Sequence, residues 1–171
     1  MSAIRTITTE ELKQLAGKGF SLAFQILQHR EDAADAVQDS LHQLYRKQGQ
    51  FDSKRGTVQA WFLKMVRNRC IDIQRKSKVA TNADDAPVVD ESMDSPGQSA
   101  QQNELIQMAK SALDSLPRDA REIIMLRDFH DLSYAEISEI LGIPSGTVMS
   151  RLHRAREQLR KQVIGKDGKH D

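Results

Sequence analysis

Cysteine is all but missing from this chain: Cys70 is the only one in 171 residues. An intrachain disulfide is thereby excluded, and a reducing, cytoplasmic setting is expected. Aromatic residues amount to 5% and β-branched clusters are few, which disfavours sheets and leaves an all-α fold as the expectation. No run of about 18 apolar residues occurs, so no membrane insertion is expected. The opening MSAIRTITTEELKQL lacks the apolar core of a secretory signal. Signs of catalysis are missing too. Cys70 has no CxxC partner, and His29, His42, His130, His153 and His170 are too scattered for the usual zinc spacings. Neither a P-loop, a GxGxxG nor a nucleophile elbow is present. Asp84 and Asp85 fall in a stretch that offers nothing to hold them in catalytic geometry. These absences point away from an enzyme: no catalytic residue, no metal and no cofactor is expected.

Net charge is only +1, which is little for a chain that binds nucleic acid, but the average conceals a pattern. Residues 1–78 hold fourteen Lys/Arg against eight Asp/Glu, a net of +6. Residues 79–109 hold no Lys/Arg and six Asp/Glu. Residues 145–161 hold five Lys/Arg against one Glu. Two basic regions therefore flank an acidic middle.

The helical pattern divides in the same way. Thr8 with Glu11 forms a capping-box signature for a first helix carrying Leu12 and Leu15, and Phe20–Gln28 (FSLAFQILQ) reads as a second, apolar-rich helix. Ala33, Ala36, Val37, Leu41, Leu44 and Tyr45 recur at helical spacing from about Glu31 to Lys47. Phe51–Gly56 reads as a loop before a long helix from about Thr57 to Lys76, which ends in basic residues as the helix dipole favours. From Val79 to Gln102 apolar periodicity disappears and Pro87, Pro96 and Gly97 interrupt any helix, the composition of a flexible acidic linker. Helical patterning resumes from Asn103 to Leu113 and from Arg118 to Phe129, with Pro117 in a first turn capped by Ser115 or Leu116. The tail GKDGKHD is expected to fray. The expectation is two small helical domains, 1–78 and 103–171, on a tether spanning 79–102.

Leu132–Lys161 carries the sharpest local signal. Ser133 and Glu136 form a second capping box, Gly142 stands where a left-handed residue ends a helix, and Pro144 starts the next. Val148, Leu152, Ala155 and Leu159 draw one apolar stripe, while Arg151, Arg154, Arg156, Arg160 and Lys161 lie mostly off it. The pattern is that of a DNA-binding helix-turn-helix, against the plainer alternative of a solvated helical hairpin.

Taken together, DAADAVQDSLHQLY at 32–45, FDSKRGTVQAWFLKMVRNRCIDIQRK at 51–76 and ALDSLPRDAREIIMLRDFHDLSYAEISEILGIPSGTVMSRLHRAREQLR at 112–160 resemble the extracytoplasmic-function (group 4) sigma factors of bacterial RNA polymerase. The resemblance spans regions 2 and 4 of that family. It implies an all-α protein that binds core RNA polymerase, reads −10 and −35 promoter elements and promotes DNA opening. Region 2 is expected on the β′ coiled coil through Asp35, Gln38 and Asp39, and region 4 on the β flap. By themselves these three residues would read as an ordinary solvated helix face. For unpaired −10 DNA the resemblance implies Phe51, Ser53, Lys54, Arg55, Lys64, Arg67, Asn68 and Arg75. Asn68 is the base-edge candidate, Asp72 orients an arginine, and Trp61 is read as core rather than as a stacking platform. In the −35 major groove it implies Ser145, Thr147, Ser150, Arg151 and Arg154, with Arg156, Arg160 and Lys161 left for backbone or acidic partners. Met149 stands where the family has a basic residue, so −35 contact leans on Arg151 and Arg154. Ala34 and Leu41 also depart from the pattern. An anti-sigma factor is the further partner implied. The alternative from a different class is a stand-alone helix-turn-helix regulator with an N-terminal sensing or dimerisation module.

Overall fold

The computed structural model describes residues 7–80 and 100–167. Among the described residues there are helices and turns and no strand: α1 (Thr9–Leu27), α2 (Arg30–Lys47), α3 (Val58–Ala80), α4 (Ala100–Asp114), α5 (Arg118–Ile124), α6 (Tyr134–Leu141) and α7 (Ser145–Asp167). Short 3-10 turns at Gln48–Gln50 and Ser53–Arg55 join α2 to α3.

Local chemistry sets most helix ends. The Thr8 hydroxyl accepts from the Glu11 amide at 3.2 Å while the Glu11 carboxylate accepts from the Thr8 amide at 2.8 Å, so both halves of the first capping box are made. At the start of α2 the cap is a histidine: His29 Nδ1 accepts from the Asp32 amide at 3.3 Å. Thr57 caps α3, its hydroxyl accepting from the Ala60 amide at 3.2 Å. Gly142 closes α6 in the left-handed region at φ 65°, which costs glycine nothing. Ser138 Oγ donates to the Ile143 carbonyl and Pro144 accepts from the amides of Thr147 and Val148, which secures the turn into α7.

Five sequence expectations are corrected. The two helices expected before Glu31 form one, α1, unbroken from Thr9 to Leu27. Pro117 is itself the cap of α5, in extended backbone at ψ 145°, rather than a residue of the first turn. A proline lacks the amide that a helix start leaves unpaired, and here the ring precedes the first helical residue. The helix expected to reach Phe129 stops being α at Ile124, and Met125–Phe129 forms a π-turn closed by His130 N–H donating to the Met125 carbonyl at 3.0 Å. Ile123, Ile124, Met125 and Leu126 are all buried, and a regular α-helix cannot direct four consecutive side chains to one face. Of the expected linker 79–102, Val79 and Ala80 belong to α3 and residues 100–102 to α4, while 81–99 lie outside the described residues. The tail is helical through Asp167, and 168–171 lie outside the described residues.

The two helical modules expected from the sequence are both present, and they meet. α1, α2 and α3 pack together around Leu22, Ala33, Val37, Phe62, Leu63, Val66 and Cys70. α5, α6 and α7 pack around Ile123, Leu126, Ile137, Ile140, Val148 and Leu152. The two groups belong to one continuous apolar cluster, with α3 against α6 and α1 against α5. The modules on either side of residues 81–99 therefore also share a seam. Burial of apolar surface, at roughly 25 cal/mol per Å², drives that docking.

Candidate nucleic-acid interface

The seam brings the loop before α3 under the first helix of the helix-turn-helix. Asp52 caps the Ser53–Arg55 turn, its carboxylate accepting from the Lys54 amide at 3.0 Å, and Gly56 takes φ 142° to turn the chain into α3. A cavity of about 450 Å³ opens here. Phe51, Arg55, Trp61, Lys64, Asn68 and Asp72 line one side, and Glu136, Glu139 and Ile140 of α6 line the other. The Phe51 and Trp61 rings meet at 5.5 Å between centroids, tilted by 43°. Trp61 is thus partly buried against the core, as expected, yet also lines the cavity.

The expected −10 residues divide by position. Phe51, Arg55, Lys64 and Asn68 converge on the cavity wall. Ser53, Lys54, Arg67 and Arg75 do not reach it. Ser53, Lys54 and Arg75 are exposed, whereas Arg67 turns into the seam, where its Nε donates to Glu122 Oε1 at 2.5 Å. Asp72 has no ion pair among the described residues. Arg69 is instead held by Asp39, Nε to Oδ2 at 2.7 Å, so the orienting role expected of Asp72 falls to Asp39. Asp35, Gln38 and Asp39 lie exposed on one face of α2, three and four residues apart.

On α7, Val148, Leu152 and Ala155 are buried, which turns Ser145, Ser150, Arg151 and Arg154 outward, with Thr147 partly covered. Ser150 Oγ donates to the Thr147 carbonyl at 3.1 Å, and Arg154 Nε to the Ser150 carbonyl at 3.4 Å. Arg151 carries no ion pair among the described residues. Arg156 pairs with Asp128, which holds its guanidinium above its ordinary pKa through that hydrogen bond, and Arg160 lies 3.9 Å from Glu157. Both find acidic neighbours. Met149 is exposed at the site of the missing basic residue.

Sequence reasoning missed the residues that close the seam. Glu136, beyond its role in the α6 capping box, accepts through Oε1 from the Thr57 amide at 2.8 Å and from the Thr57 hydroxyl at 2.6 Å. Burial raises the Glu136 pKa, but the Thr57 and Ser133 hydrogen bonds outweigh it and hold the carboxyl below its usual range. Glu139 Oε2 lies 3.0 Å from Arg55 Nη2 and 3.3 Å from Lys64 Nζ, and hydrogen bonds from Lys64 and Arg55 lower its pKa. Gln59 Nε2 donates to the His130 carbonyl at 2.7 Å, and Arg118 Nη1 to Gln74 Oε1 at 2.5 Å. The His130 ring is buried with no hydrogen-bond partner at either nitrogen; burial, then the charge of Lys18, pushes its pKa down to about 4. Cys70 is fully buried and its thiol is pushed up to about 12, first by burial and then by the charge of Glu122. It is a core residue.

A basic loop-and-helix unit beside a helix-turn-helix defines a class: a two-part DNA-binding transcription protein. Comparison with known proteins narrows it. The sigma-70 region 2 family matches residues 12–79, and the sigma-70 region 4 family matches residues 106–159. The chain is 32% identical over 154 residues to the extracytoplasmic-function sigma factor SigE of Mycolicibacterium smegmatis, covering 88% of this chain and 59% of that one. It is 32% identical over 148 residues to the sigma factor SigV of Bacillus subtilis, covering 86% of each. Among solved structures, the sigma factor RpoE of Bartonella quintana, in complex with the anti-sigma factor NepR, superposes with a TM-score of 0.75 at 26% identity, over 91% of this chain and 95% of that one. CnrH, in complex with the cytosolic domain of CnrY, shares the fold with a TM-score of 0.60 at 23% identity, over 92% of this chain and 90% of that one. The chain belongs to the extracytoplasmic-function sigma factors of bacterial RNA polymerase, the family whose members direct the polymerase to promoters.

Proposed function

We propose that this sigma factor docks on the β′ coiled coil of the polymerase through Asp35, Gln38 and Asp39 and on the β flap through region 4, working in the cytoplasm where the polymerase works. An acidic, exposed helix face suits charge pairing with a basic partner. Phe51, Arg55, Lys64 and Asn68 capture the unpaired −10 strand: two cations meet phosphate, the Phe51–Trp61 pair offers a stacking edge, and the Asn68 amide donates to and accepts from a base. Ser53, Lys54, Arg67 and Arg75 flank that surface and complete the backbone contacts once the seam opens. Ser145, Thr147, Ser150, Arg151 and Arg154 meet the −35 major groove, the arginines at base edges and the hydroxyls at phosphate. An anti-sigma factor holds the chain inactive; the support is the superposition, across both modules, with a sigma factor solved together with one.

The observation that carries this reading is the convergence of Phe51, Arg55, Lys64 and Asn68 on one cavity at the end of a helix packed beside the α2 face. Run-off transcription with core polymerase on a library of genomic fragments tests it. Promoter-specific transcripts are expected, and Arg154→Ala lowers −35-dependent initiation by a factor corresponding to about 1–3 kcal/mol. Asn68→Ala lowers open-complex yield. Tight, sequence-specific operator binding by the protein alone, without transcripts on addition of polymerase, would establish the stand-alone regulator instead.

A further inference from the structure

Two glutamates of region 4 close on residues that the preceding reading gives to the −10 strand, and a third closes on Thr57 between them. Glu139 bridges Arg55 and Lys64 through one oxygen, at 3.0 and 3.3 Å. Glu122 takes Arg67. Glu136 takes the amide and hydroxyl of Thr57 at the start of α3. These partners stand 84, 75, 55 and 79 residues apart in the chain, so the contacts exist only because the modules dock. The loop is shaped for the approach. Gly56 holds φ 142°, and a Cβ on it would lie 3.2 Å from Glu136 Cγ and 3.3 Å from Glu136 Oε1. A carboxylate oxygen set between two cations, with a second carboxylate on backbone and hydroxyl donors, reproduces what a run of phosphates offers the same surface.

We infer that α6 is an internal mimic of the DNA backbone: in the free chain Glu136 and Glu139, with Glu122 of α5, occupy the −10 surface and exclude the strand. The inference rests on the assignment of Arg55, Lys64 and Arg67 to promoter DNA and adds the regulation of that surface. The outer part of the lock is weak by construction. The Glu139 side chain is 46% exposed and that of Arg55 67%, and exposed pairs of this kind contribute little stability and fade with salt. They yield to a competing polyanion once polymerase separates the modules. Region 4 therefore has two electrostatic faces, an arginine face on α7 that reads DNA and a glutamate face on α6 that replaces it.

The test uses the full chain and a short fluorescein-labelled single-stranded DNA of randomised sequence, followed by anisotropy. Glu139→Gln, an exposed position that leaves the fold intact, tightens binding about threefold at low salt, and Glu139→Lys about tenfold, with both gains shrinking as salt rises. Asp131→Asn removes the same charge from a side chain that is 97% exposed and pairs with neither Arg55 nor Lys64, in a left-handed conformation that asparagine tolerates. It changes affinity much less. Adding Arg55→Ala and Lys64→Ala to Glu139→Gln abolishes the gain. Equal tightening by Asp131→Asn and Glu139→Gln, no tightening by Glu139→Gln, or a gain that persists without Arg55 and Lys64, would each overturn the mimicry. The underlying assignment fails separately: with core polymerase present, Arg55→Ala/Lys64→Ala would then initiate from the same promoters at the same rate.

Discussion

Removing Glu122 tests whether the seam is a structural element with its own energetics. Glu122 is 4% exposed and its partner Arg67 19%, with Nε to Oε1 at 2.5 Å. Glu122→Leu leaves a guanidinium with no carboxylate beside a continuous apolar cluster. Losing one member of a buried pair costs about 3–5 kcal/mol. Arg67 retains some contact with water and a long flexible stem, which places the expected loss at about 2–3 kcal/mol. For a chain of this size that corresponds to about 5–10 °C in Tm. The double variant Arg67→Met/Glu122→Leu removes both charges and supplies apolar volume, and it returns to within about 1 kcal/mol of the parent. Urea unfolding of the parent, both single variants and the double variant, followed by far-UV circular dichroism, completes a double-mutant cycle with a coupling of at least about 2 kcal/mol. Additive losses, or a Glu122→Leu protein as stable as the parent, would show that the pair contributes nothing and that the seam rests on apolar contact alone.

Acid weakens the same seam through His130. Its folded pKa of about 4 lies below the ordinary 6.5 because burial, and then Lys18, disfavour the imidazolium. A depressed folded pKa means that the associated stability is complete above pH 6.5, declines as pH falls, and is gone below about 4. At pH 5 the loss is about 2 kcal/mol, and His130→Leu flattens the stability profile between those limits; an unchanged slope would place the ring in water. Leu152→Ala, at a side chain 1% exposed beneath α7, costs about 2–4 kcal/mol in thermal or urea unfolding, whereas a loss well under 1 kcal/mol would mean that α7 is not seated on the core. Cys70 stays unreactive towards a thiol reagent at neutral pH until the protein unfolds, because the thiol is both buried and pushed up to about 12. Rapid labelling of the native chain would contradict its place in the core.

The parts of this protein that could be read from sequence are those whose causes are local. Thr8 with Glu11, Ser133 with Glu136, and Gly142 set helix ends through groups at most a few residues apart, and each is found at the position its chemistry requires. The apolar stripe of α7 follows from helical geometry, and it turned Arg151 and Arg154 outward as expected. His29 as a cap was missed because histidine rarely serves there, although its spacing to Asp32 matches that of any cap. The π-turn was missed for a different reason. Ile123–Leu126 shows a run of apolar residues, but only the presence of α1 on one side and α7 on the other requires all four to be buried.

By itself, the sequence determined two helical modules, their helix boundaries to within a few residues, and the residue types offered to DNA. Periodicity and capping act over one or two turns, and both survive without the rest of the chain. Only the tertiary structure decided that the modules dock, that Arg67 turns inward to Glu122, and that Glu136 and Glu139 face Thr57, Arg55 and Lys64. A glutamate on an amphipathic helix reads the same whether it meets water or an arginine 84 residues away. The choice is made by where the apolar faces of α3 and α6 come to rest, and that depends on packing between distant segments, which leaves no periodic mark on either.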